Sequence, residues 1–189
     1  MYSMRVISSF EELYKLKDQW FDLWNKALFR TPYQQWEWIY NSIIHDNNVA
    51  SPYIIIVEDH HNLIGIAPFV KKSYFFAKII CFAGQDVTSY PDFIIHKDAD
   101  FCIITQIFVF IQSSLRCDAL ELRITEPSPH LTQWRSAIVH DDYWSVAKEQ
   151  AYTKRLRVNI GRDFDAYFAT LSKEMRYDIR TANRKLESK

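Results

Sequence analysis

Glycine is nearly absent: Gly65, Gly84 and Gly161 are the only three in 189 residues. They lie too far apart to build a Walker A loop, a dinucleotide fingerprint, or any phosphate cradle that needs two close glycines, so nucleotide binding of those kinds is excluded. Cysteine is scarce and odd in number. Cys81, Cys102 and Cys117 are widely spaced in apolar surroundings, which argues for free thiols in a reducing compartment rather than a disulfide framework or a metal site. No apolar run is long enough to cross a bilayer, which takes roughly 20 residues. The most apolar stretch, Phe101 to Leu115, is punctuated by Gln106, Gln112, Ser113 and Ser114 and reads as a buried helix. Met1 to Phe10 lacks the apolar core of a signal peptide, so the cytoplasm is the expected compartment. Net charge is missing too, with 23 basic and 23 acidic side chains.

What is present is the profile of an ordinary globular chain, 48% hydrophobic and 24% charged, with length for one domain of about 150 residues and an appendage. Six Trp, eleven Tyr and thirteen Phe supply large rings for a core or for a ligand groove. The neutral balance hides an asymmetry. From Lys154 onward ten basic residues face five acidic ones, so the tail carries about +5 and the rest about −5. That split permits anion binding by the tail or pairing between the two parts.

Hydrophobic spacing places the elements. Ser9 followed by Glu12 is a capping-box spacing, and Phe10, Leu13, Leu16, Trp20, Leu23, Trp24 and Ala27 share one helical face. Thr31-Pro32-Tyr33-Gln34 starts a second helix, with Trp36, Ile39, Tyr40 and Ile43 as its buried side. Residues 53–57 and 63–67 are β-rich and close enough for an antiparallel hairpin, and 78–83 makes a third strand. A helix over about 100–115, a strand at 119–124, a short helix from Ser128-Pro129 to about 139, and strands at 144–148 and 155–160 follow. Gly161 and Asp163 then break the chain ahead of a long amphipathic helix. The expected class is α/β (α+β), a mixed sheet flanked by helices, with its one boundary near 161: a domain over 1–160 and an appendage over 161–189.

That last helix has two faces. Phe164, Tyr167, Phe168, Leu171, Met175, Ile179, Ala182 and Leu186 form an apolar stripe, and Lys173, Arg176, Arg180 and Arg184 line the other side. The stripe calls for a partner: a missing second domain, another subunit, or a second copy in a homodimer. The basic ladder is a candidate anion- or partner-binding surface. Nucleic acid is not expected, because no aromatics interleave with the arginines.

Elsewhere chemistry is sparsely marked. Six histidines are scattered without ligand spacing, so no metal site is expected, and no serine sits in a glycine-flanked elbow. The Thr88-Ser89-Tyr90-Pro91-Asp92 loop leaves a strand carrying Tyr and Asp, the kind of place where sites are built and also ordinary turn chemistry. Tyr90 and Asp92, with Trp36, are the candidate substrate-binding residues. Catalytic residues are not assignable.

Several segments together resemble a known family. Trp20 to Trp24, Thr-Pro-Tyr-Gln-Gln-Trp-Glu-Trp at 31–38, Leu-Ile-Gly-Ile-Ala-Pro-Phe at 63–69, Thr-Ser-Tyr-Pro-Asp-Phe at 88–93, and above all Leu-Ser-Lys-Glu-Met-Arg-Tyr-Asp-Ile-Arg-Thr-Ala-Asn-Arg-Lys-Leu-Glu at 171–187 are similar to the CelD/BioF2-like acyltransferases, FemAB-related members of the GNAT superfamily. The resemblance implies a largely antiparallel GNAT-like sheet in an N-terminal domain. It also implies that the terminal helix opens a second domain, of which this chain holds only the start. Acyl transfer from acyl-CoA to an amine or hydroxyl acceptor would be the family's activity. The usual acyl-CoA loop, a basic or Gln residue followed by close glycines before a helix, is missing, so this truncated half is expected to be inactive alone.

Overall fold

Ser3–Ile7 forms strand β1 ahead of the first helix, where the short stretch carries too little alternation to announce itself. In the computed structural model, the described residues are 2–49, 51–74, 76–100, 102–114, 117–123, 128–130, 133 and 163–187. The chain divides into two compact units, Met1–Ala147 and Lys148–Lys189. The strands expected at 144–148 and 155–160, the break at Gly161, and nearly all of the short helix expected after Pro129 lie outside the described residues.

The expected first helix is two. Helix α1 (Phe10–Lys15) and helix α2 (Lys17–Lys26) meet at Leu16, whose ψ of −9° departs from the helical ladder. Ser9 caps the start: the Glu12 N–H donates to Ser9 Oγ at 3.2 Å, and Ser9 Oγ donates to Glu12 Oε2 at 3.0 Å. A 3-10 turn (Pro32–Gln34) leads into helix α3 (Trp36–Ile44). Strand β2 (Pro52–Asp59) and strand β3 (Asn62–Tyr74) follow, joined by His60 and His61 with φ of 46° and 67°. Strand β4 (Ala77–Phe82), the two-residue strand β5 (Ile94–Ile95), helix α4 (Ile103–Ser114) and strand β6 (Ala119–Glu121) complete the described part of the first unit.

The sheet runs β1-β2-β3-β4-β6, with β5 added to β3. Every pairing is antiparallel except β4 with β6, which is parallel. The fold is therefore mixed α/β, as the element pattern predicts, with the largely antiparallel sheet that the resemblance implies. Strand β3 divides its second edge, offering Gly65 and Ile66 to β5 and Phe69 to Tyr74 to β4. At Gly65 a Cβ would lie 2.9 Å from Ile103 Cδ1, so glycine is what lets α4 sit down on the strand.

Both sheet faces are covered, and the strands sort their side chains with period two. Ile54, Ile56, Ile66, Val70 and Cys81 pack against Leu13, Trp20, Leu23, Ile39 and Ile43 from the helices α1 to α3. Ile55, Val57, Ala67, Phe69, Ile80 and Phe82 pack instead against Phe93 and Ile103, Ile104, Ile107 and Ile111 of α4. At roughly 1.5–3 kcal/mol for each fully buried large side chain, these two layers outweigh any polar contact in holding the sheet. Among the described residues no helix is long and apolar enough to cross a membrane.

In the second unit the expected single helix is also two. Helix α5 (Phe164–Thr170) starts at Asp163, whose Oδ1 accepts from the Asp165 and Ala166 N–H groups, and helix α6 spans Lys173–Glu187. They are separated by Leu171, which is extended at ψ 154°, and by Ser172, whose Oγ accepts from the Met175 N–H at 3.2 Å. The serine restarts the helix because its side chain offers the backbone a better cap than continued propagation does.

Candidate functional site

Strand β4, helix α4 and strand β6 make a parallel crossover at one side of an otherwise antiparallel sheet. In open sheets the carboxyl ends of parallel strands are where loops converge and ligands bind. The loop after β4 and the segment after β6 are tied there by two bridges. Arg123 Nη1 donates to Asp86 Oδ1 at 2.7 Å, and His130 Nδ1 lies 3.1 Å from Asp92 Oδ1.

The first bridge belongs to a chain of charges. Lys72 rises from β3 with its side chain 8% exposed, and its Nζ lies 2.9 Å from Asp46 and 3.0 Å from Asp86. Arg123 continues to Glu121 at 2.8 Å. Burial works against the Lys72 ammonium, yet the two carboxylates outweigh it and raise its proton affinity above the lysine norm. The hydrogen bond from Lys72 holds the Asp86 carboxyl below its usual range. Burial pushes Asp46 up, but the same lysine more than offsets this and the net shift is downward. Two cations, Lys72 and Arg123, are thus shared among three carboxylates, Asp46, Asp86 and Glu121.

The second bridge is different. Asp92 and His130 are 1% and 2% exposed. Asp92 Oδ1 also accepts from the Phe93 N–H at 2.8 Å, the His130 N–H donates to Ser128 Oγ at 3.1 Å, and the His130 ring meets Phe93 edge-on. Asp92 Oδ2 and His130 Nε2 are buried with no hydrogen-bond partner among the described residues. A carboxylate at Nδ1 selects the tautomer with its proton there, which leaves Nε2 as an acceptor. Chemically, that is an oriented base enclosed by the fold.

Gln34 pins this loop from the other side. Its Nε2 donates to the Phe93 carbonyl at 2.8 Å, its Oε1 accepts from the Thr31 N–H at 2.7 Å, and its own carbonyl accepts from Trp20 Nε1 at 2.8 Å. Thus the glutamine expected to cap α3 also reaches the strand side. Thr31 Oγ1 is buried without a partner among the described residues. Over the loop, Tyr90 stacks on Tyr33 at 6.3 Å, and Tyr33 meets Trp38 edge-on at 5.0 Å.

Of the three substrate-binding candidates, Tyr90 and Asp92 therefore lie together on the loop after β4. Trp36 lies elsewhere: it lines a groove between α2 and α3, its Nε1 donates to the Leu13 carbonyl at 2.8 Å, and its ring stacks on Tyr40. Trp38 is the tryptophan on the Tyr90 side. Sequence reasoning missed His130, which stands 38 positions from Asp92 with no spacing to signal the pair; Pro129 before it marks only a helix start.

The basic candidates sit in the second unit. Arg176 Nη1 donates to the carbonyls of Ala169 and Leu171 at 3.0 and 2.8 Å, capping the end of α5. The Arg180 guanidinium lies 5.2 Å over the Phe168 ring, and Arg184 reaches Thr181 Oγ1 at 3.3 Å. Three of the four basic side chains thus have local work, and Lys173 completes the ladder. Among the described residues no group of three His, Cys, Asp or Glu is placed to hold a metal ion.

The acyl-CoA implied by the resemblance does not fit the start of α4. Asp100 Oδ1 already accepts from the Cys102 N–H at 2.8 Å, and that bond holds the Asp100 carboxyl below its usual range. Asp98 and Asp100 precede the helix with Lys97, and no glycine lies between Gly84 and the helix. A pyrophosphate needs those free amides and positive charge, and meets a carboxylate instead.

No protein-family model matches the chain, and no curated protein matches it. Among solved structures, it is similar to a GNAT family acetyltransferase of Staphylococcus aureus at 14% identity and a TM-score of 0.47, covering 82% of this chain and 98% of that one. A ribosomal-protein-alanine N-acetyltransferase of Brucella melitensis is similar at 11% identity and a TM-score of 0.43, covering 82% and 100%. An aminoglycoside acetyltransferase from an uncultured soil sample, in complex with sisomicin, is similar at 13% identity and a TM-score of 0.45, covering 84% and 97%.

Proposed function

We propose that the chain is the first, non-CoA-binding half of an acyltransferase of the CelD/FemAB type, which moves an acyl group from acyl-CoA to an amine or hydroxyl acceptor. By itself this half is inactive. The observation that carries the reading is the Asp100 carboxylate on the first amide of the α4 region. It leaves a sheet of the right element order but removes the place where an anionic acyl donor would be held. The parallel β4–β6 crossover and the Lys173–Glu187 helix, within the 171–187 segment that carries the sequence resemblance, support the same assignment. The second domain supplies the donor site in this reading, and Tyr90, Asp92 and His130 lie on the acceptor side.

Calorimetric titration of the purified chain with acetyl-CoA tests the negative half, and no saturable heat is expected at millimolar ligand. Saturable binding overturns the reading in favour of a complete enzyme. The positive half is tested by reading the DNA downstream of Lys189 and assaying the joined product for release of free CoA thiol. Absence of any second mixed α/β domain sinks it.

A second reading has its own observation. Met175 and Leu186 of the α6 stripe are exposed, and an exposed stripe of this kind fits a module that docks on a separate protein. Light scattering separates the two: a chain lacking 163–189 loses self-association or partner capture in the docking reading and is unchanged otherwise.

A further inference from the structure

We infer that the groove between α2 and α3 is a binding site for an organic ammonium ion, a positively charged nitrogen on a compact apolar body. The groove measures about 300 Å³, and its aromatic lining is Trp20, Phe21, Trp24 and Trp36. The three indoles have all spent their polar atom inward. Trp20 Nε1 donates to the Gln34 carbonyl, Trp24 Nε1 to the Thr31 carbonyl and Trp36 Nε1 to the Leu13 carbonyl, at 2.8, 3.1 and 2.8 Å. Trp20 is fully buried beneath the groove and Tyr40 covers one face of Trp36, so the ring surface offered to a ligand is that of Trp24 and the other face of Trp36, and the face of an indole attracts cations.

The protein itself demonstrates the preference. Lys17 Nζ stands 4.8 Å from the Trp36 ring centroid, and the Arg30 guanidinium stands 5.8 Å from that of Trp24. The charged residues at the rim agree. Lys17 is the rim's one cation and is held by Glu37 at 3.0 Å. Asp18 and Asp22, one helical turn apart, have no ion-pair partner among the described residues. An anionic ligand would meet two uncompensated carboxylates and no free donor. A cation with an apolar body meets ring faces beneath and carboxylates at the edge. Because Lys17 already lies over Trp36, it competes with the ligand for the same ring face.

The test uses the full chain labelled with nitrogen-15 at tryptophan and titrated, at low salt, with phenethylammonium, neutral 2-phenylethanol and glucose. Expected is saturable movement of the Trp24 and Trp36 indole signals with phenethylammonium only. Saturation by the alcohol with equal strength shows a merely apolar groove, saturation by glucose shows a sugar site, and no movement at millimolar phenethylammonium shows no site; each overturns the inference. Two variants point in opposite directions. Asp18→Asn with Asp22→Asn, both on the exposed face of α2, is expected to weaken binding about fivefold. Lys17→Gln frees the Trp36 face and is expected to tighten it. Loss of fold would also move the signal of Trp38, which does not line the groove, so opposite signs at Trp24 and Trp36 with Trp38 unmoved are readable only as binding.

Discussion

Asp92 and His130 face each other across 3.1 Å inside the protein, each closed off from solvent and each keeping one polar atom unbonded among the described residues. Removing the imidazole strands the carboxylate. His130→Ala is therefore expected to cost about 3 kcal/mol in urea unfolding, whereas Asp92→Asn, which keeps an acceptor facing Nδ1, costs about half that. Additivity of the two costs in the double variant would show that the residues do not act as a pair.

Lys72 sets the acid limb of stability. Asp46 and Asp86 both have folded values below the ordinary aspartate value of 3.8. A depressed carboxyl contributes stability that is complete above its unfolded value and is lost as pH falls through the folded one. The wild-type chain should weaken as pH drops below about 4. Lys72→Met removes the group that depresses both aspartates, so it should lose about 2 kcal/mol at neutral pH and show a flatter profile in that acid window. Denaturant midpoints at stepped pH check this; parallel curves for the two proteins would refute it.

Gly84 fixes where α3 meets the end of β4. It has φ +67°, and an added Cβ would lie 2.5 Å from Ser42 Oγ and 2.8 Å from Ser42 Cβ. Gly84→Ala should destabilise by about 2 kcal/mol or more, combining backbone strain with the clash. Adding Ser42→Gly relieves only the clash, so a partial recovery in thermal unfolding is expected.

The thiols should label in order of exposure. Cys102 is exposed and Cys117 half-covered, while Cys81 is buried and its thiol is pushed up to about 11 by that burial. Timed alkylation of the folded chain read by mass spectrometry should modify Cys102 first and Cys81 last. Early labelling of Cys81 would mean that the sheet opens at β4.

How legible this was depended on how local each cause is. Helices α1 and α3, the β2–β3 hairpin and strand β4 follow from spacing and caps within a few residues, and the sequence pattern places them. Leu16 and Ser172 interrupt helices whose apolar periodicity continues through the break, so periodicity alone joins what the backbone separates. Strands β1 and β5 are five and two residues long and exist because β2 and β3 present edges for them, a nonlocal cause. Within the site, Tyr90 and Asp92 were visible as a loop after a strand. His130 was not, because its role comes from a crossover that brings distant segments together, and Trp36 was drawn in by its neighbours in sequence while its ring turns to the α2 groove.

The two histidines that join β2 to β3 have a consequence for how fast the molecule assembles. That hairpin is closed by two residues and so is cheap to close in entropy, yet its turn needs two left-handed residues, at φ 46° and 67°, a region that costs any side chain more than it costs glycine. Both side chains are exposed. The turn at the middle of the sheet is therefore set at two solvent-facing positions, and an Asn-Gly pair there is expected to accelerate refolding if the hairpin forms in the transition state, while leaving the packed layers as they are.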